Sequence, residues 1–264
     1  DARYHGITPL LDAHIRTLAS DPQFEDFWPE AIPRACRDDA LVQAMTEFRR
    51  RAELASVLAE LAKAGIAPLI LKGTALAYSH YADPVLRPRA DTDLLVAPSD
   101  RDSAMRVLST LGYRRVSGPA GANVGYQAEM TRIDPHGAAY SVDLHWRISN
   151  AQAFAWLFAF DELAAASVSV SALGPTARRL GDAHALLLAL LHRAGNNVYV
   201  ERDFGDRLIW LHDFRVLAGA MSDDDLANFV RLACDRKVAA IAIEGLRRCA
   251  DCLPSPRLAA LIAD

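Results

Sequence analysis

The spacing of apolar positions changes twice along the chain. Through the first 65 residues it is helical, most clearly over residues 39–64, where Met45, Phe48, Ala52, Ala55, Leu58 and Ala62 recur at three- and four-residue steps before Gly65 supplies a stop. From Ile66 the period shortens. Residues 66–71 form a short apolar run that leads through Lys72-Gly73-Thr74 into a second apolar stretch, residues 75–78, which predicts strand, tight turn and helix. Pro84 and Pro88 mark a loop, and Pro98 closes a β-rich run over residues 92–96. Ser99 is placed to cap a helix whose Met105, Leu108 and Leu111 share a face and which stops at Gly112. Residues 113–116, 126–133 and 140–148 read as strands, the last two joined by the turn Asp134-Pro135-His136-Gly137.

After Ser149 the strand signals stop. Residues 153–166, 182–196, 204–220, 223–236 and 238–249 predict helices, with the Ala/Ser-rich residues 164–172 as a loop or linker. The expected fold is α+β: an N-terminal helical segment (1–65), a small mixed β-sheet core (66–149) and a C-terminal helical domain (150–264).

Composition narrows the function classes. With 264 residues, 52% hydrophobic and 23% charged, the chain can bury a large core, which excludes a disordered tail or a disulfide-stapled miniprotein. The 33 acidic residues outnumber the 29 basic ones, and a net charge of -4 disfavours long nucleic acid as a partner. Lys63, Lys72 and Lys237 are the only lysines, so each invites inspection. No apolar run approaches the roughly 18 residues of a membrane span, and no membrane partner is expected. The start of the chain lacks the basic and apolar regions of a signal peptide, and four cysteines make no disulfide framework; both lead us to expect a cytoplasmic protein.

The chemistry concentrates in the middle section. Asp91 and Asp93 lie two residues apart at the start of a strand, so both project from one face while Thr92, Leu94 and Val96 take the other. Two such carboxylates repel unless a cation separates them, and oxygen ligands suit Mg²⁺ or Mn²⁺. On a later strand, alternation buries Tyr140, Val142, Leu144 and Trp146 and sets Asp143, His145 and Arg147 on the opposite face. An aspartate amid β-formers breaks a local rule, which marks Asp143 as a third metal ligand. Upstream, Gly73-Thr74 at a strand-to-helix junction offers free backbone N–H groups and a hydroxyl to a phosphate.

The run from Leu71-Lys72-Gly73-Thr74 through Tyr81, Arg87-Pro88 and Asp91-Thr92-Asp93 to Val142-Asp143-Leu144-His145-Trp146-Arg147 resembles the bacterial uncharacterised nucleotidyltransferase family of the polymerase-β superfamily. Thr74 stands where serine is commoner in that superfamily. The resemblance implies a nucleotidyltransferase core that moves a nucleoside monophosphate, AMP from ATP, to a hydroxyl of a small-molecule, peptide or protein acceptor and releases pyrophosphate. It implies Asp91, Asp93 and Asp143 as catalytic metal ligands for Mg²⁺ or Mn²⁺, and Gly73 and Thr74 on the nucleotide phosphates. Lys72, Arg87 and Arg89 would neutralise triphosphate charge, with an ion pair to Asp91 or Asp93 as the alternative for Arg89. His145, Arg147, His192 and Asp213 are candidates for an acceptor pocket.

Two rival readings stand beside this one. The fold could serve as a non-catalytic nucleotide- or peptide-binding module, or His212-Asp213 could belong to an HD-type metal phosphohydrolase site with His184 or His192 and with Asp225, Asp235 or Asp251. Cys249 and Cys252 form a Cys-x-x-Cys without further ligands and read as packing residues. Residues 193–197 and 201–203 read as a loop placed to close over the site, and Trp146 and Trp210 as core, with Trp146 able to back a base pocket.

Overall fold

The computed structural model describes residues 2–24, 27–116, 125–199 and 206–263. Helix α1 (Thr8–Leu18) packs on the long α2 (Ala31–Lys63), and the chain turns at Gly65, whose φ of 74° a side chain would resist, into strand β1 (Leu69–Ile70). Helix α3 (Lys72–Ala77) follows at once, so Lys72-Gly73-Thr74 is the first turn of a helix and not a separate tight turn. Then come β2 (Thr92–Leu95), α4 (Arg101–Thr110), β3 (Arg114–Arg115), β4 (Gln127–Ile133) and β5 (Ala139–His145). The β4–β5 hairpin turns where expected, with the Gly137 amide donating to the Asp134 carbonyl. Ser99 does not cap α4; it lies within a single 3-10 turn, and Asp100 holds the cap position.

The region beyond Ser149 corrects two expectations. It opens with two short helices, α5 (Gln152–Ala155) and α6 (Phe160–Ala165), in place of one, and it returns two strands to the sheet, β6 (Val168–Ser169) and β7 (Arg178–Arg179). Strands of two residues carry too little alternation to announce themselves. Helices α7 (Asp182–Tyr199), α8 (Leu208–Ala220), α9 (Asp223–Asp235), α10 (Ala239–Cys252) and α11 (Pro256–Ala263) complete the described chain. Residues 193–197, expected in a loop, continue α7, where Arg193 is clamped by Asp206 and Glu244. The companion residues 201–203 lie outside the described residues.

The α+β expectation holds. Among the described residues a mixed seven-stranded sheet runs β3-β4-β5-β2-β1-β7-β6, with β2 parallel to β5 and antiparallel to β1. Each face carries its own core. Leu94, Val142 and Leu144 turn toward Leu54, Leu58 and Leu61 of α2 and Leu108 of α4. Leu69 and Leu95 turn the other way, toward Leu187, Leu191 and Phe214 of the C-terminal helices. Because β2 is covered on both sides, the alternation visible in its sequence separates two interiors rather than interior from solvent. None of the helices among the described residues is long and apolar enough to cross a membrane.

Candidate active site

The parallel register of β2 and β5 sets Asp93 directly beside Asp143 and Leu95 beside His145. Neighbouring strands lie about 4.8 Å apart, so side chains in register on one face are forced together. Ligand atoms of Asp93, Asp143 and His145 accordingly fall within 4.8 Å of one another, the only such group of three His, Cys, Asp or Glu among the described residues. Asp91 lies immediately before β2, two residues from Asp93, and borders the group without belonging to it. His145 was expected in an acceptor pocket; the structure makes it a member of the carboxylate cluster as well.

Lys72 supplies the positive charge. Its Nζ donates to Asp93 Oδ1 at 2.6 Å, and His145 Nε2 lies 2.9 Å from the same oxygen. Burial opposes the ammonium ion, yet Asp93, Asp91 and Asp143 together hold its pKa above the ordinary lysine value. Burial likewise opposes the Asp93 carboxylate, and Lys72 and His145 overcome it, leaving Asp93 ionised and well below the usual range. The two remaining carboxylates are under strain. Burial and the charge of Asp93 raise Asp91, and burial with Asp93 and Asp91 pushes Asp143 up to about 7. Burial holds His145 neutral.

This donor set fits a divalent cation. One lysine leaves Asp91 and Asp143 held above their ordinary pKa, and His145 Nδ1 is buried without a hydrogen-bond partner among the described residues. A second positive charge would relieve the first defect, and the carboxylate oxygens suit Mn²⁺ or Mg²⁺.

Two cavities meet at this cluster. One, of about 500 Å³, is lined by Arg50, Lys72, Gly73, Arg87, Arg207 and Trp210 along with Asp91, Asp93, His192 and Asp213. The other, of about 910 Å³, has a neutral amide-rich wall of Gln127, Asn150, Gln152 and Asn196, and includes Asp143 and His145. Lys72, Asp91 and His192 border both. The Gln127 amide reaches Asp143 Oδ2 at 3.3 Å. His192 stacks edge-on against Trp210 with ring centroids 5.6 Å apart; burial, then Lys72, push its pKa down to about 3.

Several expected site residues occupy other posts. The Arg87 guanidinium is buried and forked by Asp213, with Nε and Nη2 donating to the two carboxylate oxygens at 2.8 and 2.7 Å and Nη1 to the Pro88 carbonyl at 2.6 Å. It lies flat on Gly73, where a Cβ would come within 3.2 Å of three guanidinium atoms. Gly73 therefore admits Arg87 closely, and Asp213 lies on the basic side and not in the amide-rich cavity. Arg89 pairs with neither Asp91 nor Asp93: its two terminal nitrogens reach Glu47 at 2.7 and 2.9 Å, and Tyr78 donates to the same carboxylate. Thr74 is buried, and its hydroxyl reaches the Asp91 carbonyl at 3.4 Å, steadying the start of β2. Arg147 stacks on Trp156 at 3.9 Å and lines neither cavity.

Sequence reasoning missed Arg50, Arg207 and the cavity position of Trp210. Arg50 donates to the Arg89 and Ala90 carbonyls, and Arg207 Nε to the Tyr4 carbonyl at 2.9 Å. Burial and neighbouring arginines lower both pKa values. Trp146 instead faces Arg101, 5.2 Å from its ring. His212 and Asp213 bond to Tyr81, and Cys249 packs in the core, so neither the HD-type site nor a Cys-x-x-Cys metal centre is assembled among the described residues.

The acidic and imidazole side chains thus gather where a basic cavity meets a neutral polar one. The chain belongs to the uncharacterised nucleotidyltransferase family, whose profile matches residues 2–254, and is an enzyme of nucleotidyl transfer; the resemblance seen in its motifs is borne out. No curated protein matches the sequence. Among solved structures it has remote likenesses. The antibiotic-resistance factor ANT(2″)-Ia in solution is 12% identical, with 73% of this chain and 95% of that chain covered and a TM-score of 0.47. ANT(2″)-Ia in complex with adenylyl-2″-tobramycin is 13% identical, covering 76% and 98%, at 0.44. An antigenic nucleotidyltransferase-like protein from Paracoccidioides brasiliensis is 14% identical, covering 73% and 91%, at 0.41.

Proposed function

We propose that the chain transfers AMP from ATP to a hydroxyl of a small-molecule, peptide or protein acceptor. The observation that carries this reading is the meeting of the two cavities at Lys72, Asp91 and His192, beside the cluster of Asp93, Asp143 and His145. The triphosphate belongs on the basic side, where Lys72, Arg50 and Arg207 offset its charge and Trp210 contributes an aromatic wall. The acceptor belongs on the amide-rich side.

Asp91, Asp93 and Asp143, with His145 beside them, would hold Mg²⁺ or Mn²⁺, which supplies Lewis-acid activation of the α-phosphate and of the attacking hydroxyl. Asp143, which lines the acceptor cavity, takes the hydroxyl proton. The acceptor oxygen then forms its bond to the α-phosphorus as the bond to the pyrophosphate oxygen breaks, and the arginines hold the departing charge. His192, kept neutral on the border of both cavities, donates or accepts one hydrogen bond without adding charge.

The test is transfer of α-³²P label from each nucleoside triphosphate, with Mg²⁺ and a cell extract as acceptor source. Label from ATP should appear on an acceptor with the wild type and be lost with Asp91→Ala and Asp93→Ala. Equal labelling by all three proteins would sink the reading.

A further inference from the structure

Helix α2 has two apolar faces, and the fold uses one. Leu54, Val57, Leu58 and Leu61 are buried against the sheet. Roughly 150° around the axis, at about 100° per residue, runs a second series: Leu41, Met45, Phe48, Ala52, Ala55, Ala59 and Ala62. Its steps of four and three residues repeat a heptad over three turns of the repeat, the spacing of a helix seam. All seven are exposed, Leu41 by 60%, Met45 by 64% and Phe48 by 79%, and Val42 beside them by 64%. A surface helix ordinarily places charge there. This face exposes on the order of 700 Å² of apolar surface, above the largest patch of a typical monomer.

The order of side-chain sizes selects the occupant. The large residues fill the N-terminal half of the seam and alanines the C-terminal half. A parallel pair would stack Phe48 on Phe48 at one end and leave alanine facing alanine at the other, crowded and hollow in turn. An antiparallel pair puts large against small: Met45 opposite Ala62, Phe48 opposite Ala59, and Ala52 opposite Ala55 around the dyad. In this register the flanking Arg49 meets Ser56 and Val42 meets the stem of Lys63, whereas a shift by one heptad would set Arg49 against its own copy. Arg51 near the dyad is turned aside, its guanidinium donating to the Ala172 carbonyl of its own chain at 2.9 Å. A pair that covered the face completely would bury up to about 1,400 Å², within the range of specific stable interfaces.

We propose that this face joins two copies of the chain, α2 against α2 and antiparallel, about a two-fold axis between Ala52 and Ala55. The assignment is independent of the reaction catalysed. Arg50 and Glu47 leave the same helix on its opposite side, so pairing leaves the basic cavity open.

Sedimentation velocity of the full chain between about 1 and 100 μM should show a species of twice the monomer mass, and Phe48→Glu should be monomeric with an unchanged far-ultraviolet spectrum. Ala59→Phe should weaken the dimer by facing Phe48 with a second ring, and Phe48→Ala with Ala59→Phe should restore it. Orientation is read by crosslinking: Met45→Cys mixed with Ala62→Cys should form the mixed disulfide, with neither variant crosslinking to itself beyond the wild-type background from exposed Cys234. A wild type that stays monomeric overturns the proposal, as does a dimer indifferent to Phe48→Glu or self-crosslinking of both single variants. A monomer that floats with phosphatidylglycerol vesicles through Phe48 would also overturn it, giving the face to a membrane surface.

Discussion

The Arg87–Asp213 pair separates a structural cation from a phosphate ligand. Both side chains are nearly sealed, with 8% and 6% of their surface exposed, and Asp213 also accepts from Tyr81 at 2.7 Å. Substituting Asp213→Asn removes the charge and keeps the shape. Stranding one member of a buried ion pair costs about 3–5 kcal/mol, and because asparagine retains one acceptor oxygen the low end applies, about 3 kcal/mol. In a chain of this length each kcal/mol lowers the melting temperature by about 2–4 °C, so Asp213→Asn should melt about 6–12 °C below the wild type by circular dichroism or calorimetry. Replacing the pair together, Arg87→Met with Asp213→Leu, removes the stranded charge and should recover most of the loss. If Asp213→Asn melts within about 2 °C of the wild type, Arg87 is not locked by this carboxylate and the structural assignment fails.

His192 and Gly73 give two more readouts. The unfolded chain protonates His192 near pH 6.5, whereas the folded chain, where burial and Lys72 hold its pKa at about 3, does not. Below about pH 6.5 the unfolded state therefore binds the extra proton, and stability falls with decreasing pH by up to about 1.4 kcal/mol per unit until about pH 3. His192→Gln should flatten that slope in denaturant titrations at pH 7, 6 and 5; an unaltered slope refutes the neutral buried imidazole. Gly73→Ala drives a methyl against Arg87 and should cost about 1–3 kcal/mol, with Arg87→Met relieving it; a cost unchanged by Arg87→Met would place the clash elsewhere.

What the sequence disclosed follows from the range of each interaction. Asp93 and Asp143 were legible as candidates because strand alternation fixes a face locally; the parallel pairing of β2 with β5 sets them side by side with His145, while Asp91 lies just before the strand. Arg87 and Arg89 were legible as cations near the site but not as bound ones, since their partners Asp213 and Glu47 are 126 and 42 residues away. Arg50 was hidden for the same reason, lying in a helix read only for its apolar steps. The periodicity of α2 was true and incomplete: it announced a helix, yet Met45 and Phe48 belong to the exposed face and Leu58 to the buried one. Two apolar series on one helix leave the choice of interior face to tertiary packing.

The strained backbone at Lys72 bears on why a lysine stands there. Its φ of 49° is left-handed, which costs a residue with a Cβ about 1–2 kcal/mol. The neighbouring glycine cannot exchange places with it, because Arg87 leaves no room for a Cβ at position 73. Strain persists where the surroundings determine it, and here it coincides with an ammonium bonded to Asp93 on the border of both cavities. Lys72→Ala and Lys72→Gly remove the same charge but differ in backbone freedom. In an unstrained helix glycine is the worse residue by about 1 kcal/mol. At position 72 the order should reverse, with Lys72→Gly melting about 2–4 °C above Lys72→Ala in EDTA. Both should lie below the wild type there, since three acidic groups lose their lysine, and Mg²⁺ should raise the two variants more than it raises the wild type. Should alanine prove the more stable substitution, the left-handed turn carries no strain, and lysine is held at position 72 by its charge alone.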